Sequence, residues 1–262
     1  MLERNIQYRA VIYGALYEPA FLLTRAHATH FFETLAERAF PKLNLQYNPA
    51  EEDKPFSMVM KEDGAGKRRD TVSLNVFQGL LRVLVDQAWP DSFDVACRKA
   101  GEVVDALSES VPELESRRRA LIEVRLRAQV PVPIKRSTSV SFLAQSLMGN
   151  RGAKLESLGS VSLIGFRYEV SPATGSISGP LDCPGRVVAI EPLRQEQGFL
   201  YLEVMSNWGS RAIRPSSESA GEVELVPGPL GMDSVIPGPS EYLHEAKRYT
   251  EEVVCPFLEK EK

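Results

Sequence analysis

A run of cations between residues 117 and 136 is the part of this sequence whose residue types most directly suggest chemistry. It contains seven lysines or arginines and one carboxylate, although the whole chain has a formal net charge of -4. Arg125 and Arg127 are two positions apart, which is about 7 Å along an extended strand. That spacing lets two side chains contact successive phosphates, so the run is a candidate nucleic-acid-binding surface.

The same run has a purely structural interpretation. Apolar residues occupy the even positions from Ile122 to Val132, which is typical of a half-buried strand. Sheet-based RNA binders also display aromatic side chains, and this polar face has none while it contains Glu123. A solvated or carboxylate-paired strand face is therefore the favoured interpretation. The nucleic-acid alternative comprises Arg119, Arg125, Arg127, Lys135 and Arg136, with Lys67, Arg68 and Arg69 from a second cationic segment.

That second segment, DGAGKRRD, combines glycines with cations but does not predict a phosphate-binding loop. Its spacing differs from such a loop, no serine or threonine follows Lys67, and the next predicted element is a strand. A helix start, whose amides complete a phosphate site, is missing. The segment is predicted to be the tip of a hairpin.

Motifs for metal or nucleophile chemistry are weak. His27 and His30 are three apart on a predicted helix, but His27 lies in its apolar stripe and His30 points away. Cys97, Cys183 and Cys255 lack the paired spacing of metal sites, and no Gly-x-Ser-x-Gly elbow occurs. The sequence therefore predicts no catalytic residue, no metal site and no cofactor, and it favours a non-enzymatic function.

The elements that must position these residues follow the order β-α-β-β-α in the first half. Alternation over residues 6–16 predicts a strand, and apolar spacing of four over residues 23–39 predicts a helix. Two strands flank Gly64 and Gly66, and a second helix follows over residues 91–110. The predicted buried side of the first strand carries Ile6, Tyr8, Ala10, Ile12 and Leu16.

The second half repeats this order from the cationic strand onwards. Tyr8–Leu16 aligns with Ile122–Val130, and the stripe of the closing helix matches that of the second helix at a constant offset of 150 residues. We predict an α+β fold of two tandem divergent β-α-β-β-α units with antiparallel sheets, residues 1–112 and 113–262. This order resembles the ferredoxin-like fold. The predicted core includes Phe31, Leu35, Phe93, Val103, Leu126, Val253 and Phe257.

A long segment over residues 207–240 interrupts the second unit and contains five prolines and five glycines. Loops beyond about 15 residues are uncommon in compact domains and are often functional. Several apolar residues lie between its turns without helical or strand periodicity, as anchors for a partner's groove do, although burial against the same domain is the alternative. The predicted partner-binding residues are Trp208, Leu230, Met232, Val235 and Ile236.

Composition places the chain among ordinary soluble proteins, with 43% hydrophobic and 25% charged residues. No apolar run approaches the roughly 20 residues of a membrane span, and neither a signal peptide nor a membrane partner is expected. We predict a cytoplasmic, prokaryotic, non-catalytic binding or assembly subunit that engages a protein partner. The alternative is a nucleic-acid-binding or RNA-processing protein that uses the cationic strand 117–136, and a small-molecule enzyme comes third. No feature of the sequence indicates an oligomeric state.

Overall fold

The computed structural model of the chain describes residues 6–38, 43–48, 56–62, 71–86, 92–132, 139–140, 142–143, 165–170, 181, 184–193, 198–209, 211–212, 225–226 and 237–259. The strands are β1 (Gln7–Glu18), β2 (Leu43–Asn48), β3 (Phe56–Glu62), β4 (Thr71–Phe77), β5 (Leu80–Asp86), β6 (Arg118–Pro131), β7 (Phe166–Val170), β8 (Gly185–Pro192), β9 (Phe199–Gly209), β10 (Arg211–Ala212) and β11 (Leu225–Val226). The helices are α1 (Arg25–Arg38), α2 (Phe93–Ser110), α3 (Pro239–Tyr249) and α4 (Cys255–Glu259), with a 3₁₀ turn at Pro112–Leu114. A π-helical turn at Thr250–Val254 joins α3 to α4.

Strands β1 to β9 form one antiparallel sheet in the order β2-β3-β4-β5-β1-β6-β9-β8-β7. β1 and β6 lie next to each other near its middle and pair from Gln7↔Gln129 to Glu18↔Arg118. The strands that precede α2 lie on one side of this pair, and those that follow α2 lie on the other. The predicted α+β class with antiparallel strands is confirmed, but the described strands β1 to β9 belong to one continuous sheet instead of two.

Helices α2 and α3 contact each other and pack on the central strands, so the core lies between them and one face of the sheet. Apolar residues at even positions of β6 point into this core, as the alternation predicts. Of the predicted core residues, Phe31, Leu35, Phe93, Val103 and Leu126 are buried, which confirms them. None of the helices in the described ranges has both the length and the apolar character that a membrane crossing needs.

The ferredoxin-like arrangement is not confirmed. A split β-α-β unit places parallel strands in one sheet, whereas the strand pairs of the described sheet are all antiparallel. The first half also contains five strands, β1 to β5, instead of three. The predicted boundary between residues 112 and 113 falls in the 3₁₀ turn, and the division into two units stays a prediction.

Residues 71–86, which the sequence presents as one apolar strand, form the hairpin of β4 and β5. Its two turn residues, Gln78 and Gly79, have φ of 48° and 81°, the positive values that a two-residue hairpin turn needs. A Cβ at Gly79 would lie 2.7 Å from the carbonyl oxygen of Tyr17, so the position also requires glycine sterically. The Gln-Gly pair between two alternating runs is the sequence signal for this turn.

Strand β1 changes its inward face at Arg9. Tyr8 pairs with Ala128 and Ala10 pairs with Arg127, so two steps along β1 oppose one step along β6. Such a β-bulge inverts the alternation beyond it. The core-facing residues after the bulge are Val11, Tyr13, Ala15 and Tyr17. Ala10 and Ile12 are buried as predicted, but the prediction that Ala10, Ile12 and Leu16 share the inward face of Tyr8 is wrong.

The π-helical turn between α3 and α4 moves the buried stripe of the closing helix by one position. A π turn adds one residue to the helical repeat. The stripe consequently continues from Thr250 to Val254 and Leu258, which are buried, instead of to Val253 and Phe257. Val253 and Phe257 are 47% and 49% exposed, so their predicted place in the core is wrong.

The same substitution at two adjacent positions tests this register. Val254 is 0% exposed, so V254A is expected to lower the free energy of unfolding by about 1.5–3 kcal/mol through lost burial and the cavity left behind. V253A removes the same atoms from an exposed position and should change it by no more than about 0.5 kcal/mol. Urea-induced unfolding followed by circular dichroism measures both values. Equal losses would show that the stripe is not shifted.

Candidate functional site

The polar face of β6 carries charges that pair with neighbouring strands. Arg127 Nε donates to Glu203 Oε2 at 2.8 Å. The Arg125 guanidinium lies 3.8 Å from Glu203 and 3.5 Å from Glu123. Arg82 of β5 lies 3.4 Å from the same oxygen of Glu123. These five residues are called the open-face network.

Glu203 on β9 is held ionised by its neighbours. The Tyr201 hydroxyl donates to its Oε2 atom at 3.0 Å, beside the bond from Arg127. Burial disfavours the charged carboxylate, but these two hydrogen bonds and the charge of Arg125 outweigh burial and hold the pKa of Glu203 below its ordinary value. The Glu203 carboxylate therefore stays available to neutralise the arginines beside it.

The structure brings Arg125 and Arg127 together but separates them from Arg119. Carboxylates of Glu123 and Glu203 lie among these arginines, where a phosphate track needs cations without competing acids. Arg119 lies on the opposite face of the sheet. The remaining candidates, Lys135, Arg136, Lys67, Arg68 and Arg69, lie outside the described residues. This geometry favours the carboxylate-paired interpretation of the strand face.

A second irregularity in the β1–β6 ladder brings Arg119 to the helix side. Tyr17 pairs with Arg119 where an unbroken register would pair it with Ala120. The Arg119 guanidinium lies 5.9 Å from the centre of the Tyr17 ring and donates to the carbonyl of Pro237 at 3.3 Å. Arg119 therefore lies between the sheet and the start of α3.

Three buried tyrosines surround Arg119. Tyr13 and Tyr17 come from β1, and Tyr242 comes from the start of α3. All three are fully buried. The hydroxyl oxygens of Tyr13 and Tyr17 interact with the Arg119 guanidinium, which can only donate, and none of the three hydroxyls has an acceptor for its own proton. We call these four residues the arginine–tyrosine cluster. Three of the four buried hydroxyls without an acceptor in the part of the chain that the structure describes belong to this cluster.

The tyrosines of this cluster stay neutral. Burial raises the pKa of Tyr13, Tyr17 and Tyr242, to about 12 for Tyr242, because the phenolate is poorly solvated there. The positive charge of Arg119 at each tyrosine, and its hydrogen bonds to Tyr13 and Tyr17, oppose this effect but do not overcome it. The hydroxyls are therefore protonated near neutral pH and able to donate. A buried donor without an acceptor costs about 1–3 kcal/mol.

Trp208, a predicted partner-binding residue, belongs to the core. It is 2% exposed, its ring lies 5.0 Å from the ring of Tyr242, and its Nε1 donates to the carbonyl of Leu181 at 3.0 Å. Trp208 therefore has no exposed side chain with which to contact a partner, as its predicted role requires. The other predicted anchors, Leu230, Met232, Val235 and Ile236, lie outside the described residues.

His244 lies between a serine and an aspartate, an arrangement that the sequence does not indicate. Its Nδ1 is 2.7 Å from the backbone oxygen of Ser240 and 3.2 Å from the Ser240 hydroxyl, and its Nε2 is 3.1 Å from Asp94 Oδ1. A catalytic triad needs a free ring nitrogen for the serine proton and a buried aspartate. Here the carbonyl occupies Nδ1 and Asp94 is 76% exposed. The contact joins α3 to α2 and does not assemble a nucleophile.

No metal-binding group forms within the described ranges, where no three histidine, cysteine, aspartate or glutamate side chains are arranged to hold an ion. His30 instead lies 3.9 Å from Glu33 on the same helix. Cys97 and Cys255 are buried, and burial raises the pKa of the Cys97 thiol to about 12. A thiol with so high a pKa is a poor nucleophile. Cys183 lies outside the described residues.

Sequence reasoning missed the arginine–tyrosine cluster for two reasons. The apparent alternation of β1 assigns Tyr13 and Tyr17 to its polar face, and Arg119 reads as one of several solvated cations. Tyr242 then joins from the far end of the chain, which no local pattern reveals. The available signal was the pair of tyrosines four apart in an otherwise apolar strand, since buried hydroxyls require partners.

Replacing Glu203 by glutamine tests the open-face network. A carboxylate whose pKa is lowered by folding stabilises the protein above its unfolded pKa, and this contribution is lost as the pH falls through the folded pKa. E203Q should therefore be less stable than the parent protein by up to about 1 kcal/mol near pH 7, and the difference should close on acidification. Urea unfolding at a series of pH values measures it.

Glu191 on β8 provides the matched control, because it is an exposed glutamate on the neighbouring strand. E191Q should show no such closing difference. A destabilisation of E203Q that stays constant down to acidic pH would contradict the assignment, since it would not arise from the charge of Glu203.

No protein-family model matches the chain, and no curated protein sequence matches it. Among solved structures, the chain is similar to the crystal structure of the di-domain ARO/CYC StfQ from the steffimycin biosynthetic pathway. The identity is 13%, the alignment covers 94% of this chain and 93% of that chain, and the TM-score is 0.20. A TM-score this low supports no conclusion about the fold or the function of this chain, which therefore rest on its own residues.

Proposed function

We propose that this chain is a non-catalytic binding or assembly subunit of a cytoplasmic prokaryotic system, and that it engages a protein partner through residues 210–236, here called the arm. The observation that carries this proposal is that the arm begins and ends at one place on the sheet and has a ladder of its own. β10 pairs with β11 in a two-stranded sheet that is separate from the main sheet.

The arm leaves the sheet at a fixed point. Gly209 pairs with Leu121 of β6 and has a φ of 119°. A Cβ at Gly209 would clash with the backbone of Ala120, so glycine is required sterically as well as for its positive φ. The preceding residue, Trp208, is buried beneath α3. The departure of the arm is therefore set by the core and not by the arm itself.

The arm returns to the sheet beside its starting point. The carbonyl of Pro237 accepts from Arg119, which is two positions from the Leu121 that pairs with Gly209. Gly238 then begins α3, and its amide donates to Glu241 in a capping box. Both ends of the arm are thus anchored to the same end of β6. This common anchor supports the proposal that a partner contacts the arm as one unit.

Apolar residues of the arm supply candidate anchors. Protein interfaces are dominated by a few large side chains that enter pockets of the partner, surrounded by contacts of little energy. The sequence of the arm places four such residues among its prolines and glycines. They are Leu230, Met232, Val235 and Ile236.

A divergent duplication of the two halves is proposed alongside this function. Outwards from β1 the strands run β5, β4, β3, β2, and outwards from β6 they run β9, β8, β7. In each half the first strand therefore pairs with the last strand, and a helix follows that last strand onto the central pair. The matching order supports two copies of one unit that meet at β1 and β6.

Affinity capture with an arm variant tests the partner proposal. The variant L230S/M232S/V235S/I236S removes the candidate anchors without adding charge. We expect the parent protein to retain a partner from the native host at high salt and after nuclease treatment, because apolar contacts do not release counterions. The variant should retain at least about tenfold less. Mass spectrometry identifies the partner, and titration of the purified pair measures the dissociation constant.

The double variant V253S/F257S is the matched control, because both residues are exposed and apolar but lie on the closing helix. It should bind the partner as the parent protein does. Equal loss in both variants would point to nonspecific apolar binding and contradict a role for the arm. A partner that nuclease removes from the parent protein would instead support the nucleic-acid alternative.

A further inference from the structure

The tyrosine hydroxyls of the arginine–tyrosine cluster lack the acceptors that their burial requires. The open-face arginines Arg125 and Arg127 each have a glutamate within ion-pair distance. Arg119 is half-buried, and in the described part of the chain it has the Pro237 carbonyl but no carboxylate within that distance. Charged groups removed from water are normally paired, and buried hydroxyls are normally hydrogen-bonded. The charge of Arg119 therefore has no anionic partner there, and the three tyrosine protons beside it have no acceptor.

The chemistry of these groups defines what they bind. Neutral phenols and a guanidinium are all hydrogen-bond donors, so the ligand must supply several acceptor atoms. A cationic ligand is excluded because Arg119 repels it, and an apolar ligand would leave every donor unpaired. Carboxylate and phosphate groups combine negative charge with acceptor oxygens, and arginine binds both through parallel N–H donors. The start of α3 adds a partial positive charge nearby.

We propose that the arginine–tyrosine cluster is a binding site for a small oxyanion, a carboxylate or phosphate group, held by the Arg119 guanidinium and the three tyrosine hydroxyls. The anion enters from the Arg119 side, because this residue is half-exposed while the tyrosines are fully buried. The proposal does not depend on the function of the arm, since none of the four residues lies in it.

The surroundings of the cluster fit such a site. The ring of Phe21 lies 5.5 Å from that of Tyr17, and the ring of Trp208 lies 5.0 Å from that of Tyr242. These aromatic walls limit access of water and strengthen hydrogen bonds to a bound anion. Glu241 is the carboxylate whose charge affects Tyr242. Its side chain is exposed and accepts a hydrogen bond from the amide of Gly238. It is therefore not positioned as the missing acceptor.

Titration with inorganic phosphate and with acetate tests the site. Isothermal calorimetry and thermal unfolding are measured for the full chain at constant ionic strength, with chloride as the reference salt. Phosphate also stabilises proteins by general exclusion from their surface, so the readout is the difference between the parent protein and the variants. R119Q should weaken binding of the anion at least about tenfold, as loss of a charged hydrogen-bonding partner does.

The adjacent residue Arg118 gives the matched control, since R118Q removes the same charge from the same strand on the opposite face. R118Q should bind the anion as the parent protein does. Binding of one probe alone identifies the oxyanion class and supports the site. No binding of either probe, or equal binding by R119Q and the parent protein, would overturn the proposal.

The variant Y242F keeps the test decisive if R119Q fails to fold. It removes a hydroxyl that has no partner, so stability without the anion should be unchanged or slightly higher. Anion binding should nevertheless weaken about threefold to tenfold, as expected for loss of one hydrogen bond. A purely structural hydroxyl would give the opposite pattern, with lower stability and unchanged anion binding. That pattern would overturn the proposal even if the parent protein binds an anion elsewhere.

Discussion

The antiparallel pairing of β1 with β6 is the contact on which the rest of this structure depends. It joins the strands that precede α2 to those that follow it and makes one sheet of two halves. If the pair separated, each half would expose a long strand edge with unpaired backbone groups. The core would also be divided, because α3 packs on both strands of the pair while α2 packs on β1 and on α3. The stability of either half is therefore tied to the other through this ladder.

Two register shifts in that ladder decide which chemistry each face receives. The shift at Arg9 turns Tyr13 and Tyr17 towards the helices. The shift at Ala120 turns Arg119 towards the same side, whereas an unbroken strand would leave it on the open face with Arg125. One strand thus places cations in two environments. On the open face glutamates compensate their charge, whereas on the helix face phenols and a backbone carbonyl surround it.

The parts of this fold that the sequence predicts are those in which periodicity is unbroken. The alternation of β6 and the stripe of α2 needed only the regular geometry of a strand and a helix, and both are found. The alternation of β1 and the stripe of the closing helix each contain one inserted residue, and beyond it the face assignment is wrong. The amino-acid sequence does not reveal such an insertion, because apolar residues both precede and follow it along the chain. The cluster around Arg119 was harder still to predict from the sequence, because Tyr242 is distant along the chain and joins the cluster only in the folded structure.

The energetic contrast between the two arginine environments argues that they serve different purposes. Partly exposed pairs such as those of the open-face network contribute on the order of 1 kcal/mol each and are compatible with a simple solvated surface. Buried hydroxyls whose protons lack an acceptor cost about 1–3 kcal/mol each, against a net stability of about 5–15 kcal/mol for a typical domain. Phenylalanine at position 242 would keep the packing and remove that cost. The unfavourable cost of the hydroxyls is removed when a bound ligand accepts their hydrogen bonds. Tyrosine is therefore favoured over phenylalanine in the ligand-bound state of the protein.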